Sequence, residues 1–293
     1  MERVFELLIP AALSENTIKQ ILYHHYRMSS RLIAKIKRNE GILLNERAQS
    51  VTAVVKMGDR LKIIIPSEKS LNIVPNAMLL DIVYEDQDIM VVNKPPGLLV
   101  HPSQGHYSRT LANGVVHHWQ AKGCSYVFRP VHRLDKDTSG LMVIAKNQYA
   151  HQQLSDQVAA NCLERKYIAV VLGRIRCREG TIDEPIARKP GSIIERWVSG
   201  DGQRAVTHYR VIKRLQRLTV VELALQTGRT HQIRVHMRHI GHPLAGDWLY
   251  GKEDDSLISR QALHAKYLAF THPVNGQAMC FERGMPEDME ALI

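Results

Sequence analysis

The chain has 293 residues, with 39 Lys and Arg against 29 Asp and Glu and a formal net charge of +10. At 44% hydrophobic residues it can fill a core, which argues against intrinsic disorder. Its apolar runs, such as Ile63–Ile65 and Leu98–Val100, fall far short of the roughly 20 residues that span a bilayer, so a membrane protein is excluded.

The N-terminal residues do not read as a secretory signal, because Glu2, Arg3 and Glu6 break the apolar run. Half of the excess charge then falls in residues 1–66, which carry +5. Arg27, Arg31, Lys35, Lys37 and Arg38 follow one another with no acid between them. Ser29 or Ser30 can cap a helix that starts there. On that helix Arg31, Lys35 and Arg38 form one basic stripe, while Leu32, Ile33 and Ile36 point to a core. A solvated face usually mixes signs, so a stripe without acids suits phosphates, and Arg27 extends it. Gly41 stops the helix, and short strands are expected at Ile42–Leu44, Val51–Val55 and Leu61–Ile65. The segments S-S-R-L-I-A-K-I-K-R-N-E-G-I-L-L-N and K-M-G-D-R-L-K-I resemble the S-four-like RNA-binding domain over about residues 13–66. In such domains the basic second helix lies against folded RNA. One departure is Glu46, where that pattern has glycine.

Residues 67–78 have linker composition, placing an S-four-like domain at 1–66 and a second domain at 79–293. In the second, strands are expected at Ile82–Tyr84, Ile89–Val92, Leu141–Ala145, Tyr167–Leu172, Val206–Ile212 and Leu218–Leu225. Helices are expected at Thr110–Trp119, Gln148–Asn161 and Thr230–Ile240. Ser199-Gly200-Asp201-Gly202 reads as a tight hairpin turn. The pattern implies an α+β fold, a mixed and mainly antiparallel sheet with flanking helices. Cys124, Cys162, Cys177 and Cys280 form no C-x-x-C pair and read as reduced thiols, pointing to the cytoplasm. His231, His236, His239 and His242 lack the spacing of a metal site, and no metal is expected.

The chemistry concentrates in three segments. Val131-His132-Arg133-Leu134-Asp135-Lys136-Asp137-Thr138-Ser139-Gly140-Leu141 packs acids, bases and hydroxyls ahead of an apolar strand. Gly228-Arg229-Thr230-His231-Gln232-Ile233-Arg234 joins a strand end to a helix start, where free N–H groups and arginine favour anions. Glu164-Arg165-Lys166-Tyr167 sets cations beside an aromatic ring. With Asn93-Lys94-Pro95-Pro96-Gly97, they resemble the RluA-type pseudouridine synthases from about Leu80 to the C-terminus. An N-terminal S-four-like domain matches that family's ribosomal large-subunit branch.

The resemblance implies a catalytic domain on one long sheet with the cleft across its middle, isomerising uridine in RNA without cofactor or metal. It implies that Asp135 acts at the ribose, attacking its anomeric carbon or taking a proton from the neighbouring carbon. Arg229 stands in the position for an ion pair with that carboxylate, and Tyr167 in the position against the target base. Arg133 can fill the space of an extruded uridine by stacking its planar guanidinium. His132 beside it is expected to support the loop or touch RNA. Ile233 with Met237 and Ile240 reads as packing, Lys94 as shaping its loop, and Asp137 as a partner for the loop N–H groups. RNA, most of all ribosomal RNA, is the expected partner, with no obligate protein partner. Two rivals stand beside this reading. One is a catalytically inactive RNA-binding protein of the same fold. The other is a hydrolase using Asp135 and Asp137, although acids two residues apart seldom straddle a sugar.

Overall fold

The computed structural model describes residues 2–68, 73–103, 105, 107–251 and 257–293. Strand β1 (Arg3–Leu8) is followed by helix α1 (Ile18–Gln20), which runs on as a wider turn through Ile21–His25. Helix α2 (Ser30–Arg38) begins where Ser29 accepts the Leu32 N–H at 3.3 Å. Strands β2 (Ile42–Leu44), β3 (Arg47–Ala48) and β4 (Arg60–Ile65) complete an antiparallel sheet in the order β1-β4-β2-β3. Leu32, Ile33 and Ile36 bury the apolar stripe of α2 in a core with Leu61, Ile63 and Ile65. At the β2–β3 turn, Asn45 and Glu46 both take positive φ (51° and 62°), so Glu46 adopts the left-handed conformation that glycine accepts at lower cost. Val51–Val55 is not a strand. Its Ala53 and Val51 carbonyls instead receive the Ile18 and Lys19 N–H groups at the start of α1.

Of the expected linker, residues 69–72 lie outside those described. Beyond it come β5 (Asp81–Glu85), β6 (Ile89–Lys94), α3 (Leu111–Ala121), β7 (Arg129–Pro130), β8 (Ser139–Ala145), α4 (Gln148–Ala159) and β9 (Glu164–Leu172). They are followed by β10 (Glu179–Asp183), β11 (Ile186–Arg188), β12 (Arg196–Val198), β13 (Val206–Arg214), β14 (Leu218–Leu225), α5 (Gln232–His239), β15 (Leu263–Thr271), β16 (Ala278–Glu282) and α6 (Glu287–Glu290). The main sheet runs β10-β13-β14-β9-β15-β8-β6-β5, with β16 on β15 and β7 on β8. All its pairings are antiparallel except β8 with β15. The fold is therefore α+β, as the sequence implies. Ser199–Gly202 does reverse the chain, with Gly202 donating to the Ser199 carbonyl at 2.9 Å. The strands it joins belong to different sheets, however, since β12 pairs with β11 in a two-stranded ribbon.

Alternation along the strands sends side chains to two cores. One face packs Val92, Met142, Tyr167, Ala169 and Leu223 against α3 and α5, through Val115, Trp119, Ile233 and Met237. The other packs Val91, Val143, Leu268 and Phe270 under α4 through Ala150 and Leu154. The N-terminal unit docks on α4: the Phe5 and Tyr149 rings lie 5.0 Å apart, and Gln152 accepts from Ser29 N–H at 2.9 Å. Arg3 pairs with buried Asp88 at 2.8 Å. Among the described residues no helix is long and apolar enough to cross a membrane.

Candidate active site

The segment His132–Ser139 enters β8 at the middle of the main sheet. Its residues alternate: His132 and Leu134 are buried, Arg133 is exposed, and Asp135 is half-buried. Thr138 N–H closes the turn onto the Asp135 carbonyl at 3.2 Å. Two buried cations hold the turn from beneath. Lys94 is fully enclosed and its Nζ donates to the carbonyls of Pro95, Leu98 and Lys136 at 3.0, 2.8 and 2.8 Å. Burial draws its pKa down to about 7, against the pull of Asp135 and Asp137. Three acceptors at these distances nevertheless match the three protons of an ammonium group. Arg260 donates to the Asp137 carbonyl at 3.1 Å and is itself paired with Asp288. At the end of the loop Gly140 has φ 119°, and a Cβ there would meet the Ala265 carbonyl at 2.4 Å. Ala265 pairs with Gly140 on one side and with Tyr167 on the other, so β15 fixes the spacing between the Asp135 loop and Tyr167.

Asp135 faces α5. Its Oδ2 lies 3.2 Å from Arg234 Nη1 and 3.9 Å from His231 Nε2. Arg234 is only 4% exposed and is gripped by Asp247, with Nε–Oδ2 at 2.7 Å and Nη2–Oδ1 at 2.8 Å. Its guanidinium also stacks 4.9 Å from the Tyr250 ring. Burial works against that charge, but the hydrogen bonds and charge of Asp247, then of Asp135, outweigh it and raise the Arg234 pKa. Asp247 in turn accepts the Leu249 and Tyr250 N–H groups, and the Tyr250 hydroxyl contacts His231 Nδ1 at 2.8 Å. The result is a half-open carboxylate facing a guanidinium whose position is fixed from behind. Tyr167 is 4% exposed, and burial raises its pKa, so its hydroxyl stays protonated. A hollow of about 440 Å³ lined by Lys166, Thr181, His208, Arg210 and Glu222 lies elsewhere and includes none of these groups.

The sequence profile of the family described as RNA pseudouridylate synthase matches residues 88–239. An uncharacterized RNA pseudouridine synthase of Bacillus subtilis is 47% identical, over 86% of this chain and 84% of that one. The Zymomonas mobilis protein named ribosomal large subunit pseudouridine synthase D is 40% identical, over 88% and 84%. Among solved structures, human RNA pseudouridylate synthase domain containing 1 aligns with a TM-score of 0.61 at 26% identity, over 73% of this chain and 87% of that one.

The chain belongs to the RNA pseudouridylate synthase family. It is an isomerase that turns uridine in RNA into pseudouridine.

Within the synthase, β15 lies between Tyr167 and the strand that follows the Asp135 loop, but the Arg229 side chain does not pair with Asp135. The buried amide of Gln232 explains why. It binds the Val206 carbonyl and Thr207 on β13 while accepting from Arg229 N–H at 2.9 Å, which turns the loop so that the Arg229 side chain points out to the Arg204 carbonyl at 3.0 Å. His231 then takes φ 58°, and α5 starts two residues later than expected. The carboxylate's partner is therefore Arg234.

For His132, only the expectation of RNA contact at the surface is corrected. It is buried, and burial together with the Arg165 charge lowers its pKa to about 3, so it is neutral and cannot meet RNA at the surface. Asp137 caps no N–H group among the described residues; its backbone carbonyl, bound by Arg260, is what braces the loop. Arg133 is exposed beside Asp135, Lys94 shapes its loop, and Ile233 packs in the core. In the N-terminal unit Arg27, Arg31 and Arg38 are exposed, whereas Lys35 is paired with Glu68. The histidines do not converge: His236 binds Thr207 and the Glu184 carbonyl, His242 binds the Leu172 carbonyl, and His239 is exposed. Sequence reasoning missed Arg234, His231, Asp247 and Tyr250 as members of the site. For Arg234 a signal existed, since it lies three residues before Met237 and so borders the buried stripe of α5.

Proposed function

We propose that the synthase modifies uridines in folded large-subunit ribosomal RNA, with Asp135 acting at the ribose of the target nucleotide. The observation that carries this reading is the Asp135 carboxylate, half-open to solvent at the sheet centre and facing a guanidinium that Asp247 fixes. A charge held in this way is ready either to bond the anomeric carbon or to take a proton from its neighbour. Tyr167 supplies a protonated hydroxyl and a ring beside the base. Arg133, exposed next to the carboxylate, fills the gap left by the extruded uridine. The large-subunit target rests on the Zymomonas mobilis relative, which carries that substrate in its name and is matched over most of both chains. The N-terminal unit, with exposed Arg31 and Arg38 on α2, serves as the RNA-binding module that anchors the substrate away from the cleft.

The test is substitution of Asp135 by Asn, which keeps size and removes the charge. Asp135→Asn is expected to bind RNA and melt like the wild type while forming no pseudouridine. Carbodiimide labelling and reverse-transcription mapping of RNA from cells with and without the gene would locate the target. Stops lost only outside the large-subunit RNA would refute the substrate assignment, and turnover by purified Asp135→Asn would remove that residue from its role.

A further inference from the structure

Arg165 lies two residues before Tyr167 on β9 and therefore on the same face of the sheet. It is 8% exposed, its Nε is wholly enclosed, and no described residue accepts a hydrogen bond from its guanidinium or pairs with it. Gly228 closes over it, since a Cβ there would lie 3.2 Å from Nη1. Alongside sits His132, equally buried, with neither ring nitrogen partnered and its proton affinity lowered by burial and by the Arg165 charge. Ala265 pairs with Tyr167 on one side and on the other with Gly140, at the end of the loop that carries His132 and Asp135, so the four residues lie on adjoining segments around β15. Guanidinium groups stay charged, and an enclosed charge without a counter-ion destabilises a fold. An anion that arrives only during turnover accounts for its presence.

The reaction supplies one. On the reading of Asp135 given above, on which this inference rests, the bond between ribose C1′ and uracil N1 breaks with both electrons going to the base. Whether C1′ then bonds to the carboxylate or C2′ gives up its proton, the base leaves as an anion with its charge spread over N1, O2 and O4. After it turns, C5 bonds to C1′ as the C1′–carboxylate bond breaks on the first route, or as C2′ regains its proton from the Asp135 carboxyl on the second; the C5 proton then departs, N1 gains a proton and the base is neutral again. We propose that Arg165, with the neutral N–H of His132, forms the hole that stabilises the detached uracil anion, making Arg165 a catalytic residue. A backbone phosphate is the poorer occupant, because phosphates follow the rim where Arg133 and Arg229 are exposed, and a phosphate bound throughout would assist binding rather than the chemical step.

The probe is bulk RNA from cells lacking the gene, labelled with tritium at uridine C5, so that each isomerisation releases tritium to water. Single-turnover rates at saturating enzyme are compared for wild type, Arg165→Met and Arg165→Lys. Affinities are measured in the Asp135→Asn background, and melting temperatures on all variants. Arg165→Met should slow tritium release about 10²- to 10³-fold, the usual loss for one donor of an anion hole. Its affinity should stay within about threefold of the parent, because the anion is absent from the ground state. Its melting temperature should hold or rise, since an unpaired buried charge has gone, and Arg165→Lys should recover part of the rate. An unchanged rate overturns the proposal, as does weaker binding with the saturated rate intact, which would identify a phosphate contact. A lower melting temperature accompanying the slower rate also overturns it, as the mark of a structural role. Tritium release by Asp135→Asn at the wild-type rate would instead defeat the parent reading, and this one with it.

Discussion

Two arginines five residues apart test the site most sharply. Arg234→Ala leaves both Asp135 and the fully buried Asp247 without their cation, so it should slow turnover by orders of magnitude and cost about 3–5 kcal/mol of stability. Arg234→Lys keeps the charge but not the forked grip on Asp247, and should fold while remaining well below wild-type rate. Arg229→Ala removes only an outward contact to the Arg204 carbonyl and should leave the saturated single-turnover rate within about tenfold. The opposite ranking would return the ion pair to Arg229. The motif named the correct segment and the wrong arginine, for a physical reason: the phase of α5 depends on the left-handed His231 and on Gln232 reaching back to β13, neither of which spacing can reveal. His132 misled similarly. In a polar loop its burial follows from strand-like alternation with Leu134, whereas composition alone favours the surface.

Strands with uniform burial were the easiest elements to read. Every residue of β8 is buried, and its apolar run stands out beside the polar loop. Strand β1 and the β11–β12 ribbon were not anticipated, being short or mixed in polarity with much of their surface in water. Strand β15 was missed as well, because His264 and Lys266 break its apolar pattern; Ser139 contacts the His264 ring at 2.9 Å, and Glu222 binds Lys266 at 3.1 Å. The junction of β8 with β15 depends on Gly140, where backbone meets backbone. Gly140→Ala would force the Ala265 backbone away at a φ of 119° and should destabilise the protein by about 3 kcal/mol or more, with activity falling at temperatures where the variant is still folded. Equal denaturant midpoints for variant and wild type would mean that the strands can part without cost.

At the scale of the whole molecule, the proposed division of labour between the two units can be tested with salt. Glu68 already pairs with Lys35, which leaves Arg31 and Arg38 as the cations of the α2 stripe without an ion pair among the described residues. Replacing both with alanine should flatten the dependence of log affinity on log salt by roughly 1.4 to 1.8 units, leaving the saturated rate unchanged, and adding Lys35→Ala should change the slope little further. An unchanged slope would make the stripe a solvated face. A further drop near one unit for Lys35 would mean that RNA displaces Glu68. The strand order carries another consequence. Remove β15 and the main sheet falls into two parts, β10-β13-β14-β9 and β8-β6-β5, with Tyr167 in one and Asp135 in the other. The strand that joins them begins at Leu263, far along the chain from its partners at Ser139 and Ala169, and long-range pairings of this kind form late. During synthesis the basic N-terminal unit therefore emerges well before β15, so RNA binding there, as proposed, would precede any chemistry. On that proposal, a chain interrupted before β15 should bind RNA and form no pseudouridine.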